Sequence, residues 1–125
     1  MEVIVHASGP LFNGTASALV SRFTREGGEE VARWGESEVQ RVLEQVLRHP
    51  TGYYQSQVRV NRVSNDSFAI TDGGVVYGPW LEGVSRRNAE TRFKGYGTFR
   101  RVAKRVEQRA DRTFGRIFNE MQRRL

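Results

Sequence analysis

The side chains best suited to proton transfer or metal binding are two histidines, His6 and His49. His6 stands near the start of the sequence, and His49 precedes Pro50, which is expected to end a helix. No His-x-x-x-His or Glu-x-x-His spacing offers two metal ligands on one helical face. The sequence contains no cysteine, so thiolate ligands, thiol nucleophiles and disulfides are excluded together. We predict that the protein binds no metal or cofactor.

Other catalytic chemistry also lacks a recognisable arrangement of residues. No nucleophile-elbow pattern gathers a serine with a histidine and an acid. Gly27-Gly28 and Gly73-Gly74 lack the strand–loop–helix context and the lysine of a phosphate-binding loop. Glu82 is a single carboxylate in an apolar and aromatic segment, and an acid without a partner is a weak catalyst. We expect Glu82 to cap backbone amides or to pair with an arginine across an interface, and we predict no enzymatic activity.

The composition is that of one soluble globular domain spanning residues 1–125. The chain is 38% hydrophobic and 27% charged, which argues against pervasive disorder. No apolar run approaches the roughly 18 residues of a membrane span. Residues 1–6 carry an acid and only a short apolar run, so we expect no signal peptide and no membrane association. The protein is therefore expected in the cytoplasm when it is synthesised.

The net charge of +6 is concentrated in the last part of the chain. Residues 98–125 hold nine of the twenty Lys and Arg residues and three of the fourteen acids, which accounts for the whole excess. Residues 26–48 hold six glutamates against three arginines. An acidic and a basic helix in one small protein can face each other between copies and so set their orientation. The basic segment also suits an anionic partner such as DNA.

Apolar spacing predicts a long helix at each end of the chain. Residues 1–10 begin with β-branched side chains, which favour a strand or arm that joins the sheet of this chain or of a neighbouring copy. A three-to-four spacing predicts a helix over 15–49, with Thr15 as its N-cap and a break at Gly27-Gly28. A continuous apolar stripe predicts a second helix over 98–125.

Between these helices, residues 53–82 change to a period of two. Val58 and Val60 alternate with polar residues, and Phe68–Thr71 form a second strand-like run. A hairpin signal at Asp72-Gly73-Gly74 then leads to a third run, Val75–Tyr77. These runs predict an antiparallel β-meander with one face packed on the helices.

The predicted fold class is therefore α+β. A long N-terminal helix, broken near Gly27-Gly28, and a long C-terminal helix pack on a three- to four-stranded antiparallel meander. The polar and glycine-containing residues 83–97 are expected to form a loop between the sheet and the last helix.

Three segments rich in aromatic residues and glycine mark this layout, namely His49–Tyr54, Tyr77–Gly83 and Arg92–Arg100. Together they resemble the minor tail-component, or neck, family of long-tailed bacteriophages, in the version found in phages of actinobacterial hosts. The resemblance covers residues 9–125 in order. It implies a structural virion protein of the head-to-tail junction, which joins head and tail around the DNA passage. These segments do not distinguish a neck ring, a head-closure component and a tail terminator.

The resemblance also implies a homo-oligomeric ring, expected to be hexameric because the tails of such phages have six-fold symmetry. Its partners would be neighbouring head-completion, connector and tail proteins, and its place would be the virion after assembly in the host cytoplasm. Tyr and Trp often dominate interfaces, so we expect the Tyr77–Gly83 segment to contact a neighbouring subunit or ring. Its aromatic side chains could instead cap the core. The predicted interface residues are Tyr77, Pro79, Trp80, Leu81, Glu82 and Gly83.

The basic residues leave a second function open, that of a nucleic-acid-binding module. A basic helical face that begins beside Tyr96 and Phe99 suits phosphate groups. No helix-turn-helix or aromatic RNA-binding motif accompanies it. Under either function, the basic side chains are expected to face a partner protein or to make non-specific contact with packaged DNA. These side chains are Arg86, Arg87, Arg92, Lys94, Arg101 and Arg105.

Overall fold

The computed structural model describes residues 1–6, 18–48, 51–64 and 66–124. Two long helices pack on one three-stranded antiparallel sheet, so the predicted α+β class is confirmed. The predicted N-cap Thr15, the helix-ending Pro50 and the turn residue Asn65 lie outside the described residues. In chain order the elements are β1 (Glu2–His6), α1 (Ala18–Val46), α2 (Tyr53–Gln57), β2 (Arg59–Ser64), β3 (Ser67–Thr71), α3 (Gly78–Glu82), α4 (Arg86–Glu90) and α5 (Thr98–Arg124).

The N-terminal strand lies at one edge of the sheet, whose strand order is β1-β3-β2. Val3 and Val5 of β1 pair with Ile70 and Phe68 of β3, and all four side chains are buried against the helices. The prediction that the N-terminal residues form an edge strand is confirmed, and the strand joins the sheet of its own chain. Alternation of buried and exposed residues along β1 follows from the period of two in a half-buried strand.

The predicted strand at Val75–Tyr77 is wrong, because these residues form turns that lead into α3. Gly73 and Gly74 both have positive φ angles, 72° and 76°, and the buried Asp72 carboxylate accepts a hydrogen bond from the Gly74 amide at 3.0 Å. This local bonding turns the chain away from β3. Residues 53–57, which were included in the predicted meander, form the short helix α2 instead. The sheet therefore gains its third strand from the N-terminus.

The predicted break at Gly27-Gly28 is also wrong, because α1 is continuous from Ala18 to Val46. A Cβ atom at Gly27 would lie 2.7 Å from side-chain carbons of Phe114 and Ile117, and one at Gly28 would lie 2.8 Å from the Phe68 ring. The two glycines therefore allow α5 and β3 to approach α1 closely. This tertiary packing outweighs the helix-propensity cost of about 1 kcal/mol per glycine.

The last helix spans Thr98–Arg124 as predicted and packs along α1. Two ion pairs join their exposed rims: Arg105 contacts Glu38 at 3.0 Å, and Arg116 contacts Glu30 at 2.5 Å. These ion pairs join the acidic and basic helices within one chain, and the expectation that such helices face each other between copies stays a prediction. A second apolar cluster of Phe23, Ile117 and Met121 lies at the far end of this pair.

Candidate interaction surface

Glu82 forms the N-terminal cap of α5 from a distant part of the chain. Its side chain is buried, and its two carboxylate oxygens accept hydrogen bonds from the amides of Phe99, at 2.8 Å, and Arg100, at 3.0 Å. The first amides of a helix have no partner within the helix, and its positive dipole end favours a carboxylate. Of the two roles predicted for Glu82, backbone capping is therefore confirmed.

The rest of the Tyr77–Gly83 segment is shaped to bring Glu82 to that position. Pro79 lies in the first turn of α3, where the missing N–H costs nothing. Gly83 ends the helix with a φ of +100°, and a Cβ atom there would lie 2.2 Å from the Lys94 carbonyl oxygen. The neighbouring chain is held by hydrogen bonds from the Tyr96 amide to the Leu81 carbonyl, at 2.7 Å, and between the backbones of residues 97 and 82. This geometry requires glycine at residue 83 and makes the segment rigid.

A buried carboxylate, Asp72, holds the other end of α3. It accepts hydrogen bonds from the Tyr54 hydroxyl at 2.8 Å and from the Met1 amino group at 2.9 Å. Burial, and then the hydrogen bond to Asp72, raise the pKa of Tyr54, so this phenol remains a donor. A Cβ atom on Gly78 would lie 2.0 Å from Asp72 Oδ2, so only glycine fits at the start of α3. Sequence reasoning treated Asp72 as a turn residue and missed this role.

The outer side of this segment carries three aromatic rings in contact, which we call the aromatic platform: Trp80, Phe93 and Tyr96. The Phe93 ring centroid lies 4.9 Å from that of Trp80 and 5.0 Å from that of Tyr96. The Arg87 guanidinium lies 5.3 Å from the Trp80 ring centroid. Trp80, Phe93 and Tyr96 are half-buried, so the platform is both packed on the protein and accessible. Tyr77 lies beside it in sequence and is 43% exposed.

Asn88 fixes the platform from beneath, within a segment that was predicted to be a loop. Residues 86–90 form α4, whose capping box pairs Ser85 with Asn88. The buried Asn88 amide nitrogen donates to the carbonyls of Trp80 and Phe93, both at 3.1 Å. One side chain thus links the two chain segments that supply the aromatic rings. Sequence reasoning missed Asn88, although Ser85 three residues before it is a helix-start signal.

The six predicted basic residues are all exposed, and they lie on α4, on the connection that follows it and on α5. Arg87 of α4 belongs to the rim of the aromatic platform. Lys94 instead donates to the Asn88 carbonyl at 2.8 Å, which satisfies the last turn of α4. The other two lie on α5. Arg101 donates to the Tyr96 carbonyl, and Arg105 pairs with Glu38.

The fold also brings together His6, Ser67 and Asp66, which the sequence pattern did not indicate. The His6 Nδ1 atom lies 2.5 Å from Ser67 Oγ and 3.9 Å from Asp66 Oδ1. In a catalytic triad the acid bonds one imidazole nitrogen and the serine bonds the other. Here the same nitrogen faces both groups, so the carboxylate does not orient the ring for proton transfer from the serine. We assign these contacts to the edge of the sheet.

Within the described part of the chain, no helix is long and apolar enough to span a membrane. The same residues include no group of three or more His, Cys, Asp or Glu side chains placed to hold a metal ion. Comparisons of the sequence and fold with known protein families, curated proteins and solved structures found no match. Function must therefore be inferred from the residues and their geometry.

Proposed function

We propose that the protein is a structural component of the head-to-tail junction of a long-tailed bacteriophage. In this role its copies assemble into a ring, with six-fold symmetry, that joins head and tail around the DNA passage. The ring contacts neighbouring head-completion and tail proteins within the virion. The proposal starts from the resemblance of three segments to the neck family and is supported by how the structure builds one of them.

The aromatic platform is the observation that supports the proposal best. Trp80, with Tyr and Arg neighbours, belongs to the residue types that dominate protein interfaces. The platform is held by buried groups on two sides, Glu82 at the start of α5 and Asn88 below the rings. A rigid surface loses little conformational entropy when it binds, so it is suited to a permanent contact.

The sheet offers a second surface for assembly. β1 and β2 are the outer strands, and no strand among the described residues pairs with the outer edge of either. An unpaired strand edge can accept backbone hydrogen bonds from another chain. Contacts between two different surfaces of identical subunits produce a closed ring when the rotation between copies closes. Two opposite edges and one rigid platform provide such different surfaces.

Trp80→Ala tests the proposal through the assembly state of the purified protein. We expect the wild type to form a closed oligomer and the variant to sediment as smaller species with unchanged far-UV circular dichroism. Tyr53→Ala is the matched control, because Tyr53 is an exposed aromatic residue, 54% accessible, on α2. The control should assemble as the wild type does. Normal assembly of Trp80→Ala, or its complete unfolding, would contradict the interface role.

A further inference from the structure

A row of arginines runs along the exposed side of α5 next to α1. The spacings are four, four, three and four residues, which place all five side chains on one helical face. At 1.5 Å rise per residue the row is about 22 Å long. The row, here called the arginine row, consists of Arg101, Arg105, Arg109, Arg112 and Arg116.

The middle of this row forms one wall of a groove of about 190 Å³ between α5 and α1. Trp34, Glu38 and Arg41 of α1 form the other wall. Four arginines (Arg41, Arg105, Arg109 and Arg112) and one carboxylate line the groove, which leaves an excess of three positive charges. We call it the arginine groove.

The contacts within the groove leave most of this charge available. Arg41 and Arg105 share the single Glu38 carboxylate. The Arg109 guanidinium lies 5.3 Å from the Trp34 ring centroid and gains no neutralising charge there. Arg112 has no hydrogen-bond or ion-pair partner within the described part of the chain. Because the Arg41 and Arg105 side chains are 56% and 45% exposed, their ion pairs are weak and can rearrange around another anion.

We propose that the arginine groove binds the phosphate backbone of a nucleic acid. Arginine is the side chain whose planar, two-pronged donor group matches phosphate oxygens. A duplex strand presents one phosphate about every 3.4 Å along its axis, so the arginine row spans about six phosphates. A regular row of one charge sign fits a regular polyanion better than an irregular acidic protein segment. The site differs from the predicted set of basic residues, because it includes α1 and excludes Arg86, Arg87, Arg92 and Lys94.

The experiment measures binding of the full chain to a fluorescent duplex of about 20 base pairs over a range of salt concentrations. The groove variant is Arg109→Gln with Arg112→Gln. The matched control is Arg100→Gln with Lys104→Gln, which removes the same charge from exposed residues of α5 outside the groove. Neither variant removes a partner of Glu38 or Glu30, and thermal denaturation of each verifies that it is folded.

The affinity of the groove variant for the duplex should fall at least about fivefold. The slope of log affinity against log salt concentration should become shallower by about 1.8, because each lost phosphate contact contributes about 0.9 to that slope. The control should lose much less. Equal losses of affinity in the two variants would indicate general attraction of the duplex to a basic protein, and would show that the groove is not a specific binding site. Displacement of the duplex by inorganic phosphate at equal phosphate concentration would assign the groove to a small anion. Equally tight, groove-dependent binding of poly-glutamate would assign it to an acidic protein. Each of these results would contradict binding of a nucleic acid at the groove. None of them tests whether the protein assembles into a ring.

Discussion

Glu82 connects the aromatic platform to the stability of the whole fold. It is a buried acceptor whose two hydrogen bonds reach the first turn of α5, 17 and 18 residues further along the chain. Because it caps the helix that carries much of the core, the shape of the platform and the stability of α5 depend on the same side chain. The aromatic platform therefore keeps its shape only while α5 is folded.

Replacing Glu82 with alanine should therefore destabilise the protein. The variant leaves the buried amide of Phe99 and the partly buried amide of Arg100 without acceptors, and we expect a loss of about 1–3 kcal/mol in the free energy of unfolding. Urea denaturation monitored by circular dichroism measures this loss. Glu90→Ala, which removes an exposed carboxylate from α4, is the control and should change stability by less than about 0.5 kcal/mol. A loss at Glu82 no larger than that at Glu90 would show that the cap is unimportant.

At the residue scale, the sequence predicted the role of a side chain where that role follows from nearby residues. It did not predict which distant residues a side chain contacts. Glu82 was expected to cap amides or to pair with an arginine across an interface, because a lone acid in an apolar segment needs donors, and this reasoning is local. Asp72 and Asn88 were missed because their partners, Tyr54, Trp80 and Phe93, are brought to them only by the folded chain. Buried polar residues of this kind cannot be recognised from spacing alone.

At the scale of elements, the positions of both long helices were predicted, but the continuity of α1 and the short connections were not. The apolar stripe of α5 continues for about seven turns, so its period determined both helix ends. Val75–Tyr77 have strand-favouring side chains, but hydrogen bonding around Asp72 determines their conformation. Glycines in α1 were interpreted through helix propensity, whereas their role is in packing between elements.

Two glycine substitutions should have opposite effects on stability. A Cβ atom at Gly35 would lie 2.4 Å from Ile70 Cδ1 and 2.9 Å from Val106 Cγ2, both in the core. The loss of stability caused by overpacking, about 1–3 kcal/mol, should exceed the stability gained from the higher helix propensity of alanine. Gly35→Ala should therefore lower the melting temperature. A Cβ atom at Gly115 of α5 would meet no neighbouring atom within 4 Å, so Gly115→Ala should raise the melting temperature. Stabilisation by both substitutions would contradict the close approach of α1 to the sheet.

The Glu38 carboxylate, which pairs with Arg41 of α1 and Arg105 of α5, should make stability depend on pH. The hydrogen bond from Arg41, and then that from Arg105, hold the pKa of Glu38 below its ordinary value of 4.5, against the opposing effect of burial. A carboxyl with a lower pKa in the folded state binds fewer protons there than in the unfolded state. The contribution of Glu38 to the free energy of unfolding is therefore complete above pH 4.5, and it is lost as the pH falls through the pKa of Glu38 in the folded protein.

Glu38→Gln should reduce the loss of stability on acidification below pH 4.5. Urea denaturation of the wild type and the variant at a series of pH values measures the difference between their slopes. Glu44→Gln, an exposed substitution on the same helix, is the control. Identical pH dependence in Glu38→Gln and the wild type would show that the ion pairs of Glu38 with Arg41 and Arg105 do not form in solution.

At the scale of the whole molecule, the acidic and basic helices contact each other within the chain, which composition did not indicate. Glu30 and Glu38 of α1 neutralise Arg116 and Arg105 within the chain. The arginine groove holds an excess of three positive charges, while the aromatic platform and the two sheet edges offer surfaces for protein contacts. The proposed ring uses the platform and the edges, so a groove directed at nucleic acid is compatible with it.

We propose that copies of this chain close into a ring of defined size. Native mass spectrometry of the purified protein, with images of the same sample by electron microscopy, tests it most directly. We predict a particle of six copies, six times 14.3 kDa or about 86 kDa, with a central opening. A monomer of 14.3 kDa at every concentration measured, or an open chain of variable length, would contradict it.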